Sequence, residues 1–431
     1  MVSFGDSYNG LHSKIIYKTS EVRELRFSFA FLAALSALLF LANLSMSVYG
    51  SEKRPDGVER IRAYCLWDNN NDTVVDEGAN AGEFSIAMID TGIYYDRYSH
   101  NYHPDLEGNV YSDGIYFYCY YGQLARTSNY WDYLNHGTHV AGIIAAVDNE
   151  IGVIGTAPYA NIYVLRADGH LKSDKAIAMA AAIDWAVDNH FYIISISMGI
   201  NTTYSVLQEA CDRANASGSL IIAGAGNSDG AILYPANYSS VVAVGAVNAT
   251  LGRWNPPDPP SGPLGSCFGD QLELVAPGAS INSTANPEVY PYQYYMEMEG
   301  TSMACPHVAG AAALIWRSKI DPEFDSNNDG YWQNTEVRAK LHDWASDLGD
   351  PGWDMYYGYG LINCWAPNQR PLGDVNNDLK VRVDDLSLAQ AAYGSEPGQS
   401  NWDPRADINI DNKVRVDDIL IIALNFGKTD P

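Results

Sequence analysis

Four residues in this 431-residue chain have the types and local settings that nucleophilic catalysis requires. Asp90 ends the apolar run Ser85-Ile-Ala-Met-Ile and is followed by Thr91-Gly92; His136 opens Asn135-His136-Gly-Thr-His139-Val-Ala-Gly142. Asn227 follows Ile222-Ala-Gly-Ala-Gly226, and Ser302 lies in Glu299-Gly-Thr-Ser302-Met-Ala-Cys-Pro-His307-Val-Ala-Gly310. Singly, each has an ordinary reading. An Asp before Thr-Gly caps a turn, and a Ser at the start of a helix is an N-cap. His136 and His139 could be taken for a metal pair, but they lack the Glu and the i, i+4 spacing of a zincin. Together they fit one chemistry. A serine hydroxyl needs a neighbouring base, and the base needs a buried carboxylate to fix its tautomer and stabilise its cation. Ser302 is then the nucleophile, His136 the base and Asp90 the orienting acid. The Asn227 amide and the Ser302 backbone N–H would bind the developing oxyanion.

Such residues must be held by a rigid frame, and the chain between residues 57 and 365 supplies one. Apolar or β-rich runs at Phe84–Ile89, Ile162–Leu165, Ile193–Met198, Leu220–Ala225, Val241–Val247 and Leu272–Ala276 alternate with helical stretches at His136–Val147, Ser173–Asn189, Tyr204–Ala216 and Ser302–Ser318. This alternation predicts an α/β domain with a mostly parallel sheet covered by helices on both faces. In such sheets the site lies beyond the carboxyl ends of the strands, where the four residues fall.

On these motifs the chain resembles the subtilases, the subtilisin-like serine proteases, from about Ile61 to Asn363. The resemblance implies the subtilisin-like three-layer fold and an exported endopeptidase that cleaves polypeptides through an acyl-enzyme. The rival reading is a catalytically silent surface or scaffold-binding protein that keeps the fold. By resemblance, Ser197-Met198-Gly199 pairs with the substrate backbone, and together with Ala225 and Gly226 it walls the pocket for the residue preceding the cleaved bond. Leu233 falls at the floor of that pocket, which is expected to be shallow. Structural calcium is implied at Val147-Asp-Asn149-Glu-Ile151-Gly-Val153, through the carbonyls of Val147, Ile151 and Val153, the Asn149 amide and Asp105.

Further loops have the twelve-residue pattern of an EF-hand. Asp325, Asn327, Asp329, Tyr331 and Glu336 occupy positions one, three, five, seven and twelve of an insertion, with Gly330 at six. In the tail, Asp374-Val-Asn376-Asn-Asp378-Leu-Lys380 leads to Asp385, and the pattern returns 33 residues later as Asp407-Ile-Asn409-Ile-Asp411-Asn-Lys413 leading to Asp418. After a linker at 366–373, this duplicated stretch at 374–431 resembles a dockerin, a small helical module, which implies calcium and a cohesin-type partner. Leu379 in place of the position-six Gly, and Arg382 and Arg415 at position nine, argue for weak calcium affinity.

Composition sets the remaining bounds. Lys and Arg number 26 against 52 Asp and Glu, a net charge of −26 that makes nucleic acid an unsuitable partner. Residues 1–50 sum to +1, 51–365 to −23 and 366–431 to −4. Residues 27–50 are uncharged and apolar behind Lys14, Lys18, Arg23 and Arg26, the pattern of a signal peptide or membrane anchor that meets the export machinery. Localisation is therefore expected outside the cell or at its surface. The six cysteines show no CxxC spacing, so a zinc site is not suggested; they allow 15 full pairings, among which the sequence does not choose, with free buried thiols as the plain alternative.

Overall fold

The computed structural model describes residues 52–67, 84–111, 113–256, 264–318 and 320–364, and in the tail 373, 375, 381–396, 399, 401, 406–408 and 413–427. The apolar segment 27–50, all of the linker but its last residue, and Asp374, Asn376, Asp378, Lys380, Asn409 and Asp411 lie outside the described residues.

In chain order the strands of the principal sheet are β1 (Phe84–Asp90), β2 (Ile115–Tyr120), β3 (Gln123–Thr127), β4 (Ala160–Gly169), β5 (Ile193–Ile196), β6 (Leu220–Gly224), β7 (Val241–Val247) and β8 (Leu272–Pro277). They lie in the order β3-β2-β4-β1-β5-β6-β7-β8, parallel throughout except for the β2/β3 hairpin. A separate antiparallel pair joins β9 (Ile281–Thr284) to β10 (Tyr295–Met298). The helices are α1 (Asp56–Arg60), α2 (His136–Ala145), α3 (Lys172–Asp188), α4 (Ser205–Ala216), α5 (Thr301–Arg317), α6 (Asn334–Asp343), α7 (Val383–Ala392) and α8 (Val416–Asn425).

Side chains alternate across a strand, so each strand feeds two cores. Ile86, Met88, Val164 and Ile222 pack with Val140 and Ile144 of α2 and Ala304 and Val308 of α5. Ala87, Ile89, Leu165 and Ile221 face the other way, onto Met179 and Ile183 of α3 and Ala210 and Cys211 of α4. β1 lies between β4 and β5, with α2 on one face of the sheet and α3 on the other. Its carboxyl end is therefore the crevice where α/β sheets place their sites. Small residues let α5 lie close to its surroundings: a Cβ on Gly310 would stand 2.6 Å from Cβ of Thr156, in the loop before β4.

The tail has its own small core of Val375, Val381, Ala389, Ala392, Ala406, Val414 and Ile422. Arg62 Nη2 donates to the Asp407 carbonyl at 2.5 Å. All six cysteines are free and buried. Among the described residues no helix is long and apolar enough to cross a membrane.

Candidate active site

β1 delivers Asp90 to the carboxyl edge of the sheet with its side chain fully buried. Gly92 and Gly137 then allow the turn after β1 to meet the start of α2. A Cβ on Gly137 would stand 2.1 Å from the Gly92 carbonyl oxygen, and Gly92 itself has φ +119°. This close approach places His136, the first residue of α2, so that its Nδ1 donates to Asp90 Oδ1 at 2.6 Å. The same oxygen accepts the Thr91 N–H at 2.7 Å, while Oδ2 is buried with no hydrogen-bond partner. Because Asp90 is an acceptor, Nδ1 carries the proton and Nε2 keeps its lone pair. Burial alone would lower the His136 pKa, but the Asp90 charge and hydrogen bond outweigh it and raise the pKa above the ordinary histidine value.

Asp132 ties these two elements together. Its carboxylate accepts the Thr91 hydroxyl at 2.8 Å, the Thr138 N–H at 2.8 Å and the Thr138 hydroxyl at 2.6 Å. Thr91 Oγ1 in turn accepts the Gly137 N–H at 2.9 Å. His139 and His307 serve packing: His139 Nε2 lies 3.0 Å from the Ile281 and Met296 carbonyls, and His307 Nδ1 lies 2.8 Å from the Met303 carbonyl. Burial pushes both down to about 4 and keeps them neutral.

Ser302 is the second residue of α5, which begins at Thr301, one residue before the predicted start at Ser302. Its hydroxyl donates to the Ser197 carbonyl at 3.1 Å, and the Ser197 hydroxyl donates to the Ser302 carbonyl at 3.0 Å. Asn227 lies beside this helix start. Its Oδ1 accepts both the N–H and the hydroxyl of Thr301, each at 2.9 Å, which turns Nδ2 outward as a donor. Thr301 Oγ1 also accepts the Gly226 N–H at 3.0 Å. Thr301 was not among the sequence candidates. Gly300, at φ +133°, could not carry a side chain without meeting Asn227 Nδ2 at 2.7 Å. Cys305 lies one turn beneath Ser302, its Sγ 3.4 Å from the Ile222 carbonyl, and burial pushes its thiol up to about 11.

The segments expected to line the substrate path flank this point. Ser197, Met198 and Gly199 continue from β5, and Ala225 and Gly226 continue from the neighbouring β6. Leu233 is tied to the second of these by its N–H, which donates to the Ala225 carbonyl at 2.8 Å.

The loop expected to hold calcium is partly gathered. Asp105 is buried; its Oδ2 accepts the Val153 N–H at 2.9 Å, and Oδ1 has no hydrogen-bond partner. The Asn149 amide donates to the Pro104 carbonyl at 3.2 Å, and Val147 N–H donates to the Asp105 carbonyl at 2.8 Å. Glu52, absent from the sequence candidates, accepts the Asn149 N–H at 3.0 Å. Burial pushes Asp105 up to about 7. Burial and the adjacent Asp148 push Glu52 up to about 8. An oxygen-only donor set around a buried, half-satisfied carboxylate fits a hard cation.

In the insertion, Asp325 accepts the N–H groups of Asp329 and Gly330 at 3.0 and 3.1 Å, and Asp329 accepts that of Tyr331 at 2.8 Å. Asn327 Oδ1 accepts the Asp329 N–H at 2.9 Å, and Glu336 accepts those of Ser326 and Gln333 at 2.9 Å. Among the described residues no group of three His, Cys, Asp or Glu side chains is gathered for a metal.

Comparison with known proteins gives the family. A model of the subtilase family matches residues 82–360. Subtilisin NAT of Bacillus subtilis subsp. natto is 36% identical over 320 residues, which cover 73% of this chain and 71% of that protein. Subtilisin DY of Bacillus licheniformis is 37% identical over 73% of this chain and 98% of its own length. Subtilisin Savinase of Lederbergia lenta is 33% identical over 72% and 97%. A strand-end aspartate bonded to a helix-start histidine, a serine at a second helix start and relatives of this closeness lead to one conclusion: the chain belongs to the subtilase family and is a serine-type endopeptidase.

Proposed function

We propose that this endopeptidase cleaves polypeptides through an acyl-enzyme on Ser302. His136 Nε2 takes the hydroxyl proton as Ser302 attacks the carbonyl carbon, and the imidazolium formed is stabilised by Asp90. The Asn227 amide and the Ser302 N–H at the start of α5 receive the oxyanion. His136 then gives the proton to the leaving amine, and water repeats the sequence to release the acid. The Ser302 hydroxyl leaves its resting bond to the Ser197 carbonyl when substrate arrives. The observation that carries this reading is the 2.6 Å His136–Asp90 contact, with the other carboxylate oxygen unpartnered. The test is labelling by a fluorophosphonate together with peptide hydrolysis. The folded wild type should do both, and Ser302→Ala should do neither; a folded wild type that does neither would favour the catalytically silent reading.

The same reading includes calcium as a structural cofactor, held by Asp105, Asn149 and the carbonyls of Val147, Ile151 and Val153, with Glu52 alongside. A divalent cation there would neutralise carboxylates that burial now disfavours as anions. The insertion would use Asp325, Asn327, Asp329, the Tyr331 carbonyl and Glu336. The tail would use Asp374, Asn376, Asp378, the Lys380 carbonyl and Asp385, and again Asp407, Asn409, Asp411, the Lys413 carbonyl and Asp418. One observation supports treating these three loops alike: the residue at position twelve accepts the N–H groups of positions two and nine in each, at 2.7 to 2.9 Å. Residues 374–431 are proposed as a dockerin-like module for a cohesin-type partner, and residues 27–50 as the export signal or anchor that places the enzyme outside the cell.

A further inference from the structure

We infer that Leu233 closes the pocket for the residue preceding the cleaved bond, and that this enzyme cuts after glycine, alanine or serine in preference to large aromatic residues. The inference rests on the peptidase reading above and adds its substrate class.

The pocket's position follows from the sheet. β5 and β6 are neighbours, and their carboxyl ends run on into Ser197–Gly199 and Ala225–Asn227. Both continuations are bonded to the start of α5: the first through the paired Ser197 and Ser302 bonds, the second through Gly226 and Asn227 to Thr301. A peptide whose carbonyl carbon meets Ser302, with its oxygen at Asn227, therefore sends the preceding side chain between these two segments. Each segment faces that gap with a glycine, which on its own would make a deep slot.

Leu233 fills the slot. A Cβ on Gly226 would stand 2.5 Å from Leu233 Cγ and 2.8 Å from Cδ1; one on Gly199 would stand 3.0 Å from Leu233 Cβ and 3.3 Å from Cδ1. One leucine branch thus reaches both walls. It cannot swing aside as a loop would, because its backbone is fastened on two sides. Leu233 N–H donates to the Ala225 carbonyl at 2.8 Å, and Tyr234 and Ile200 exchange N–H···O bonds at 2.9 Å each. Leu233 is half-buried, with its side chain against the two glycines. Its isobutyl group occupies the volume that a phenyl ring would need, and a single misplaced methylene already changes kcat/KM by roughly 10–200-fold.

The test uses chromogenic peptides that differ only in the residue before the cleaved bond, alanine or phenylalanine, with the full chain and its Leu233→Gly and Leu233→Ala variants. Fluorophosphonate labelling counts competent sites in each preparation. The wild type should favour alanine over phenylalanine in kcat/KM by about tenfold or more. Leu233→Gly should invert that ratio, and Leu233→Ala should fall between. A labelled wild type that prefers phenylalanine, or a ratio unmoved in both variants, would overturn the inference and leave the peptidase reading standing. A folded wild type that takes no label would overturn both.

Discussion

Asp90 and Asp418 are both fully buried aspartates, but their oxygens are committed differently. Asp90 spends one oxygen on His136 and Thr91 and keeps the other without a hydrogen-bond partner. Asp418 gives one oxygen to the Ile408 N–H at 2.7 Å and the other to the Arg415 N–H at 2.8 Å, and Asp385 does the same with Val375 and Arg382. A buried carboxylate with an unpartnered oxygen is costly unless a cation forms beside it. At Asp90 that cation would be the His136 imidazolium of the proposed reaction. At Asp418 and Asp385 each oxygen accepts a backbone N–H, and the carboxylate fastens a loop to the first turn of a helix. One fold thus contains a buried carboxylate with one unpartnered oxygen beside a histidine and two whose oxygens each accept a backbone N–H.

Breaking the two kinds should separate them. Asp90→Asn should lower kcat by about 10⁴, the size seen for this change in serine proteases with the same triad, whereas Asp418→Asn should leave kcat unchanged; peptide hydrolysis by matched, folded variants measures both. Asn227→Ala should cost about 10²–10³ in kcat with little change in KM, a magnitude carried over from subtilisin, where it is known. Thr301→Val removes the hydroxyl's bond to the Asn227 amide and the one it accepts from Gly226, leaving the Thr301 N–H bond in place, and should cost about tenfold in kcat, the worth of a hydrogen bond of roughly 1.4 kcal/mol. A loss in KM alone would show that Thr301 acts on binding and not on the oxyanion donor.

The proposed catalytic residues stood out in the sequence because each is embedded in a local pattern of glycines or apolar strand. Glycines flank Asp90, His136 and Ser302 where backbones must touch, and an apolar strand precedes both Asp90 and Asn227. The alternation of the β1–β8 frame was legible for the same reason: strands buried on both faces read as continuous apolar runs. The β2/β3 hairpin was not foreseen. Its strands lie at the sheet edge, mix tyrosines with polar residues, and turn through Tyr121-Gly122 at positive φ, which leaves no clear two-residue period. Helix α6 was hidden because its first turn was read as the end of a metal loop; Glu336 serves there as the cap that accepts the Gln333 N–H. Glu52 and Thr301 were missed because their partners are tertiary: 97 residues separate Glu52 from Asn149 and 74 separate Thr301 from Asn227; Asp132 joins a partner 41 residues back, Thr91, to one six residues on, Thr138. Hydrogen bonds over such separations have no signature in one sequence.

The central claim is that Asp90 holds a neutral His136 ready to act as base with a raised proton affinity. His136 can take the Ser302 proton only when unprotonated, so activity is present above its pKa and lost as pH falls through it. With the Asp90 charge and hydrogen bond raising that pKa, the acid limb of kcat/KM against pH should have its midpoint above 6.5 in the wild type and move to lower pH in Asp90→Asn. A wild-type midpoint below 6.5, or one that Asp90→Asn leaves in place, would contradict the account.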